Sequence, residues 1–596
     1  MIFSSLLKQE IIIAVKALYD SDVNAELLNI QPTNKEFKGD ATLVVFPLLK
    51  ISRQKPEETA ETIGAWIKNN STLIDDYNVI KGFLNLHIKS ENYMAAFMQP
   101  AKEREGKSGQ PVLVEYSSPN TNKPLHLGHI RNNLVGFALA EILKAANHPV
   151  KKVNIVNDRG IHICKSMLAW QKFGNGETPL SSGMKGDHLV GKYYVLFDKT
   201  FKAQIDDLIA QGISKVEAEK ATPIMKEVQQ MLRNWEAGQP ETMELWRTMN
   251  NWVYDGFAIT YKNLGVDFDK IYYESETYLL GKEIVQNGLE KGVFYQKPDG
   301  SVWVDLTDDG LDHKLLLRGD GTSVYITQDI GTAKMRYDEF KFSKLIYVVG
   351  NEQEYHFRVL KLVLKKLGFG WWNTLYHMAY NMVDLPSGKM KSREGTVVDA
   401  DDIMQETVND AEVMTRELGK LADFESTAAK ELYQTIGMGA LKYFILKVDT
   451  EKRMLFNPAE SIDINGNTGP FIQYAYARIQ SVIRKAATIE RFARQLESGF
   501  ELSTAYPINE KEKDLVKLVL SYEEIVQEAA LRLAPSLIAG YAYDLAKAYN
   551  QFYHDNVVVD ATASESSLFR ISLSQKTATC IKNAFHLLGI EVPDRM

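Results

Sequence analysis

The chain has 596 residues, 45% of them apolar, with a formal charge of −8 and a pI of about 5.9. That length supports three or more domains with cores of their own, and the acidic total excludes a general basic footprint, so any RNA contact must come from local Lys and Arg patches. The two cysteines, Cys164 and Cys580, lie far apart, which excludes a disulfide framework or a CxxC zinc site and points to a reducing compartment without structural zinc; no run approaches the roughly 18 apolar residues of a membrane span.

The opening, MIFSSLLKQEIIIAVKALYD, carries Lys8, Gln9 and Glu10 among its apolar residues and has no small-residue cleavage site. It reads as an amphipathic helix with Ile11, Ile12, Val15 and Leu18 on one face, not as a signal peptide. The run ATLVVFPLL and the alternating GFLNLHI at 82–88 complete a small α+β domain over residues 1–105. Its tail, AKEREGKSGQ, is charged and Gly-bearing and reads as a linker.

Next comes PVLVEYSSPNTNKPLHLGHIRNNLVGFALAEILKAA, residues 111–146. Val112 to Tyr116 form a short apolar run expected to be a buried parallel strand. Ser117 to Pro124 form a loop restrained by Pro119 and Pro124. From about Leu127, the residues Ile130, Leu134, Phe137, Leu139 and Ile142 keep a largely apolar face at helical spacing. His126 and His129 therefore fall at a helix mouth, where free N–H groups and the macrodipole favour anions. Strand, loop and helix N-terminus together describe a phosphate site.

VKKVNIVNDRG supplies a second strand, whose end at Asn157-Asp158-Arg159-Gly160 marks the carboxyl edge of an open α/β sheet. A polar-helical insertion runs from about 172 to 300. Three loop signals follow, expected on one sheet edge: Ser323 to Asp329, IYVVGNEQEYHF with Gln353 and His356, and SGKMKSREGTVV at 387–398. The fold class is thus multidomain α/β, with a Rossmann-like parallel-sheet domain at 106–398. A helical linker at 399–456 precedes an all-helical domain at 457–596, where Leu515, Leu518, Val519, Tyr522, Ile525 and Val526 recur at offsets of three and four. Its last helix is expected to end at Leu588, before Gly589 and Pro593.

The spacing His126-Leu127-Gly128-His129 resembles the HxGH signature of class I aminoacyl-tRNA synthetases, and SSPNTNKPLHLGH, with Glu115 just before it, narrows the resemblance to the arginyl-tRNA synthetases. GNTGPFIQYAYARIQS at 466–481, AKAYNQFYHDNVVV at 546–559 and the ending HLLGIEVPDRM resemble the helical anticodon-binding domain of that family. The resemblance implies that L-arginine reacts with ATP, accompanied by Mg2+, to give arginyl-adenylate and pyrophosphate. Arginine then passes to the 3′-terminal ribose 2′-OH of tRNA(Arg), and bound tRNA is required for the first step. A cytoplasmic monomer is expected.

The same resemblance assigns residues. Glu115, Tyr325, Asp329 and Gln353 would hold the arginine side chain, and a carboxylate answers a guanidinium fork better than any other side chain. Ser118 and Asn120 would hold the other end of the amino acid. ATP would meet His126, Gly128, His129, Lys389, Met390, Lys391, Ser392 and Arg393. In that second signature, Ser392 stands where class I enzymes carry their fourth-position lysine, and Lys391 is one step out of phase. Arginyl enzymes commonly use a lysine in the loop before HxGH instead, which here is Lys123. The expected catalytic groups are Lys123, His126, His129 and Lys391. Phe83 and Asn85 would read the tRNA elbow, Tyr541, Tyr543 and Met596 the anticodon, and DHLVGKYYVLF at 187–197 resembles an insert facing the acceptor end.

Plainer readings stand beside these. Glu115 suits a strand-end ion pair, Phe83, Tyr541 and Tyr543 suit cores, Asn85 suits a strand surface, and the Lys389–Arg393 cluster suits a solvated loop. For the whole chain the alternatives are another class I synthetase or a catalytically silent tRNA-binding paralogue. Glutamate specificity would call for a cationic pocket, which Glu115 and Asp329 do not offer. Silence would call for erosion of the signatures, yet Lys123, His126, Gly128 and His129 all stand.

Overall fold

The computed structural model describes residues 3–34, 36–100, 109–384, 398–417, 426–562 and 564–596. The N-terminal unit is an antiparallel sheet of β1 (Ile30–Pro32), β2 (Ala41–Val44), β3 (Ile74–Ile80) and β4 (Phe83–Ile88), in the order β1-β2-β4-β3. The Ser4–Tyr19 helix buries Leu7, Ile11 and Val15 in its core.

The central sheet is parallel throughout, in the order β12-β11-β5-β6-β7, from β5 (Val112–Glu115), β6 (Val150–Val156), β7 (Lys270–Tyr273), β11 (Lys344–Gly350) and β12 (Leu375–Tyr380). Strand alternation sends Val112 and Val114 of β5 into one apolar cluster and Leu113 into another, so both faces are covered. The chain leaves β5 toward β6 and β7 on one side and returns to β11 and β12 on the other. A crevice opens at the carboxyl ends where such a sheet reverses its order.

Three expectations need correction. The stretch 172–300 is not helical throughout, because Lys270–Tyr273 is a strand of the main sheet that pairs in parallel with β6. After it, β8 (Tyr295–Gln296), β9 (Val302–Val304) and β10 (Lys314–Leu317) form a small antiparallel sheet. The segment from Tyr325 is no loop but a helix, Tyr325–Phe340, that carries both Tyr325 and Asp329. The Leu127–Ala145 helix is buried nearly all round, including Arg131, Asn132 and Asn133. Sheet packs on one side of it, and helices of the linker and of the C-terminal domain on the others. It can approach β5 because residue 136 is glycine, where a Cβ would fall 2.4 Å from Tyr116.

Fully buried Arg131 reaches out of that helix to the carbonyls of Thr450 at 3.3 Å and Lys452 at 3.1 Å, just before β14 (Met454–Leu455), which pairs with β13 (Val383–Asp384). Asp40 of the N-terminal domain takes Lys513 at 3.1 Å and Lys517 at 2.5 Å, tying that domain to the C-terminal helices. No helix among the described residues is long and apolar enough to cross a membrane.

Candidate active site

At the mouth of the Leu127–Ala145 helix, His126 is the N-cap in extended conformation, and its Nδ1 accepts the backbone N–H of Gly128 at 3.1 Å. His129 reciprocates, its Nδ1 accepting the backbone N–H of His126 at 3.2 Å. The two rings lie 3.9 Å apart. With Nδ1 an acceptor in both, each neutral ring carries its proton on Nε2, which is then a donor. Burial, then the nearby Lys123 charge, pushes His126 down to about 4; burial, with its neighbours His126 and Lys123, pushes His129 well below the usual range. Both are neutral donors at pH 7.

The turn that carries the chain from β5 to this mouth uses a conformation the sequence did not announce. Ser117 (φ 82°) and Ser118 (φ 46°) are both left-handed, an arrangement costing about 1–3 kcal/mol per residue unless its surroundings over-determine it. They do. Asn132 Oδ1 accepts the Ser117 N–H at 2.5 Å, Asn154 Oδ1 accepts the Ser118 N–H at 2.9 Å, and the Ser117 hydroxyl meets the Tyr261 hydroxyl at 2.7 Å. Asn120 then bridges to Asn157, extending the β5–β6 pairing toward the crevice.

Lys123 stands half-buried between this turn and His126, and burial lowers its pKa. It lines a cleft of about 520 Å³ with His126, His188, Tyr194 and Asp399. The far wall is the Gly186–Ala210 helix, which contains the 187–197 segment and packs so closely that a Cβ on Gly191 would fall 2.8 Å from Pro124. His188 Nε2 of that helix is clasped by Asp399 at 3.2 Å and Asp401 at 3.1 Å. Hydrogen bonds to those two carboxylates lift it to about 10. Lys185 joins the same cluster through Asp401 and Thr260. Asp399 in turn bridges His126 through the backbone. This clasp gave no signal in the sequence, because its partners lie more than 200 positions apart. Lys389, Met390, Lys391, Ser392 and Arg393 lie outside the described residues.

Glu115 ends β5, 5% exposed. Its Oε2 accepts from Nη1 of Arg336, and its Oε1 lies 3.5 Å from the Ser118 hydroxyl. Burial pushes the Glu115 carboxyl up, Arg336 opposes that rise, and Asp329 adds to it, so the two acids share one field. Asp329 has its Oδ2 2.6 Å from His356 Nε2. Tyr325 is 72% exposed, and Gln353 is exposed in the Asn351–Gln353 turn after β11. A further acid that the sequence did not single out, Glu274, closes β7; burial raises it to about 7, with Arg159 opposing. The plainer reading of Glu115 as an ion pair is therefore realised, with one of its oxygens.

Two acids that share one field suit a cationic substrate, and neutral imidazole donors at a helix N-terminus suit a phosphate. Residues 94–457 match the family of tRNA synthetases class I (R), catalytic domain; 472–596 match the DALR anticodon binding domain, and 5–88 the arginyl tRNA synthetase N terminal domain. The arginine–tRNA ligase of Bacteroides thetaiotaomicron is 57% identical over 593 residues, covering 98% of each chain. That of Porphyromonas gingivalis is 55% identical over 589 residues, again covering 98% of each. The chain belongs to the arginyl-tRNA synthetases. It is thereby an aminoacyl-tRNA synthetase of class I, a ligase, as the signatures implied. The arginyl-tRNA synthetase of Thermus thermophilus shares the fold, with a TM-score of 0.79 at 24% identity over 99% of this chain and 100% of that one.

Several residues expected to contact RNA are turned inward. Asn85 is 2% exposed, with Oδ1 accepting from Thr42 at 2.6 Å and Nδ2 donating to Asn78 at 2.8 Å, so it is an interior link of the N-terminal sheet. Phe83 is half-buried and packs edge-on against Phe46, ring centres 5.8 Å apart; Phe46, not singled out from the sequence, is the exposed member at 46%. Tyr541 is buried and its hydroxyl donates to the Leu518 carbonyl at 3.0 Å, which corrects its reading as a base contact to a core residue. Tyr543 is partly exposed and lines a shallow hollow with Phe471, Lys547 and His554. Met596 packs against Ala411, Leu432 and Ile436. Cys164 and Cys580 are buried thiols, raised by burial to about 12 and about 11.

Proposed function

We propose that the chain carries out the arginine–tRNA ligase reaction of its family in two steps at the β5/β11 crevice. The guanidinium of L-arginine lies against Glu115 and Asp329, with Tyr325 and Gln353 closing the rim. Ser118 and Asn120 hold its α-amino and carboxylate end. The carboxylate attacks the α-phosphate of ATP in line, forming the acyl–phosphate bond as the bond to pyrophosphate breaks. An ionised carboxylate needs no general base, so catalysis is positioning and neutralisation of the spreading phosphate charge. His126 and His129 donate through Nε2–H at the positive helix end, Gly128 leaves room for the nucleotide, and Lys123 supplies the cation at the α-phosphate. Lys389, Met390, Lys391, Ser392 and Arg393 meet the leaving phosphates. Mg2+ arriving with ATP would offset part of its charge.

In the second step the 2′-OH of the terminal ribose of tRNA(Arg) attacks the adenylate carbonyl, its proton leaving with the departing AMP. The RNA runs from the Phe46–Phe83 pair, whose exposed member is Phe46, past the Gly186–Ala210 helix, to the hollow around Tyr543. Activation awaits bound tRNA, in keeping with Ser392 in place of the usual lysine. We place the protein in the cytoplasm, working as a monomer.

The observation that supports the reading best is the pair Glu115 and Asp329, two acids in one field, with two neutral imidazole donors at the mouth of the helix that follows β5. Charging of total tRNA with each labelled amino acid in turn tests it. Arginine alone is expected to be esterified; equal charging with glutamate or lysine contradicts it. Brisk ATP–pyrophosphate exchange with arginine but no tRNA overturns the requirement for tRNA.

A further inference from the structure

Arg336 lies seven residues beyond Asp329 on the Tyr325–Phe340 helix, two turns along the same face. Its side chain is fully buried. Nη1 grips Glu115 Oε2, and the guanidinium carbon lies 4.8 Å from the centre of the Tyr272 ring. Nε and Nη2 are buried without a hydrogen-bond partner among the described residues. As a device for stability this is a poor one. A buried ion pair seldom outweighs its desolvation, least of all with donors left unsatisfied, and an apolar pair would fill the space as well.

The arrangement makes sense at the other end of Glu115. With Oε2 held, the carboxylate resists turning about its last bond, and among the described residues Oε1 is left with only the Ser118 hydroxyl, 3.5 Å away. Asp329 repeats the pattern, with Oδ2 taken by His356 at 2.6 Å and Oδ1 without a partner among the described residues. Each acid thus has one oxygen gripped by the protein and a second with acceptor capacity to spare. A planar guanidinium fork needs acceptors at fixed positions, whereas a compact ammonium is content with any carboxylate that can turn to meet it.

We propose that Arg336 is a positioning residue for substrate selection: it locks the plane of the Glu115 carboxylate so that the oxygen left over fits the guanidinium of arginine and not the ammonium of lysine. This rests on the reading of Glu115 and Asp329 as the arginine pocket. Arg336 itself touches no substrate.

The test is steady-state aminoacylation by the full-length enzyme with wild type, R336K, R336Q, E115Q and the double variant E115Q/R336Q. R336K keeps a cation behind Glu115 but loses the rigid fork. It is expected to raise the KM for arginine by about 10- to 100-fold, the range of one charge-assisted hydrogen bond, while kcat and the KM for ATP stay within about twofold. Inhibition by lysine relative to arginine is expected to strengthen. In the E115Q background R336Q is expected to add nothing, since the carboxylate it positions is gone. If R336K and R336Q fail to fold, E115Q is compared with E115Q/R336Q, where equal KM values for arginine support the proposal and a further rise overturns it. An unchanged KM for arginine in R336K, with E115Q raising it, also overturns the proposal and leaves the pocket standing. An unchanged KM in E115Q removes the pocket itself, and the proposal with it.

Discussion

The backbone N–H of His126 donates to Nδ1 of His129 at 3.2 Å, so the second imidazole of the signature holds the first in place without sharing a proton with it. The geometry needs both rings neutral. His126 sits at about 4 and His129 well below its ordinary value, each through burial first. Between pH 5 and 8, kcat/KM for ATP is expected to show no limb from either residue. Stability behaves differently. An unfolded histidine binds a proton near pH 6.5 that these native ones refuse, so stability falls as pH drops from about 6.5 toward 4. Urea midpoints at pH 7, 6 and 5 should therefore fall more steeply for wild type than for H126N, which can still cap the helix.

Lys123 is the cation we assign to the α-phosphate, and burial lowers its pKa. K123M is expected to lose about 100- to 1,000-fold in kcat, the range for removing one charge-stabilising donor. The required form is protonated, so activity is lost as pH rises through a value below the usual lysine range. K123R, charged at every accessible pH, should abolish that alkaline limb while keeping part of the rate. A pH–kcat profile for the two enzymes decides it.

His188 is raised to about 10 by Asp399 and Asp401. Its contribution is present in full below pH 6.5 and is lost as pH rises through about 10, the sign for a group whose folded pKa lies above its unfolded one. Since its side chain is 29% exposed, H188Q is expected to cost about 1–2 kcal/mol at pH 7, at the lower side of hydrogen bonds to charged groups. Thermal melts at pH 7 and pH 10.5 should show that difference shrinking.

What could be read from the sequence was local. Strand, loop and helix at 112–145 are written in adjacent residues, with β-rich apolar positions, two prolines and then a helical period, and the histidines fell where a helix mouth must be. What could not be read depends on distant partners. Nothing near Ser117 and Ser118 announces left-handed backbone, because Asn132 and Asn154 impose it. Lys270–Tyr273 is a short run in a helical context and becomes a strand only because β6 offers an edge. The pair Glu115 and Arg336 is separated by 221 positions. Tyr541 illustrates the opposite error, since an aromatic at helical spacing fits a core as readily as a base, and only the Leu518 carbonyl at 3.0 Å decides.

That correction carries its own prediction. Y541F removes one buried hydrogen bond and is expected to lower stability by about 1 kcal/mol with the KM for tRNA unchanged. F46A removes an exposed ring and is expected to leave stability nearly intact while raising the KM for tRNA about tenfold, the effect of removing one stacked base. Denaturant midpoints and tRNA titrations of the two variants separate these roles.

The most direct measurement is the KM for arginine against the KM for ATP in D329N at saturating tRNA. Two carboxylates sharing the guanidinium require the arginine value to rise by about 100-fold, the effect of removing one charge-assisted hydrogen bond, with the ATP value within about twofold. An unchanged KM for arginine, or a rise confined to ATP, contradicts the account.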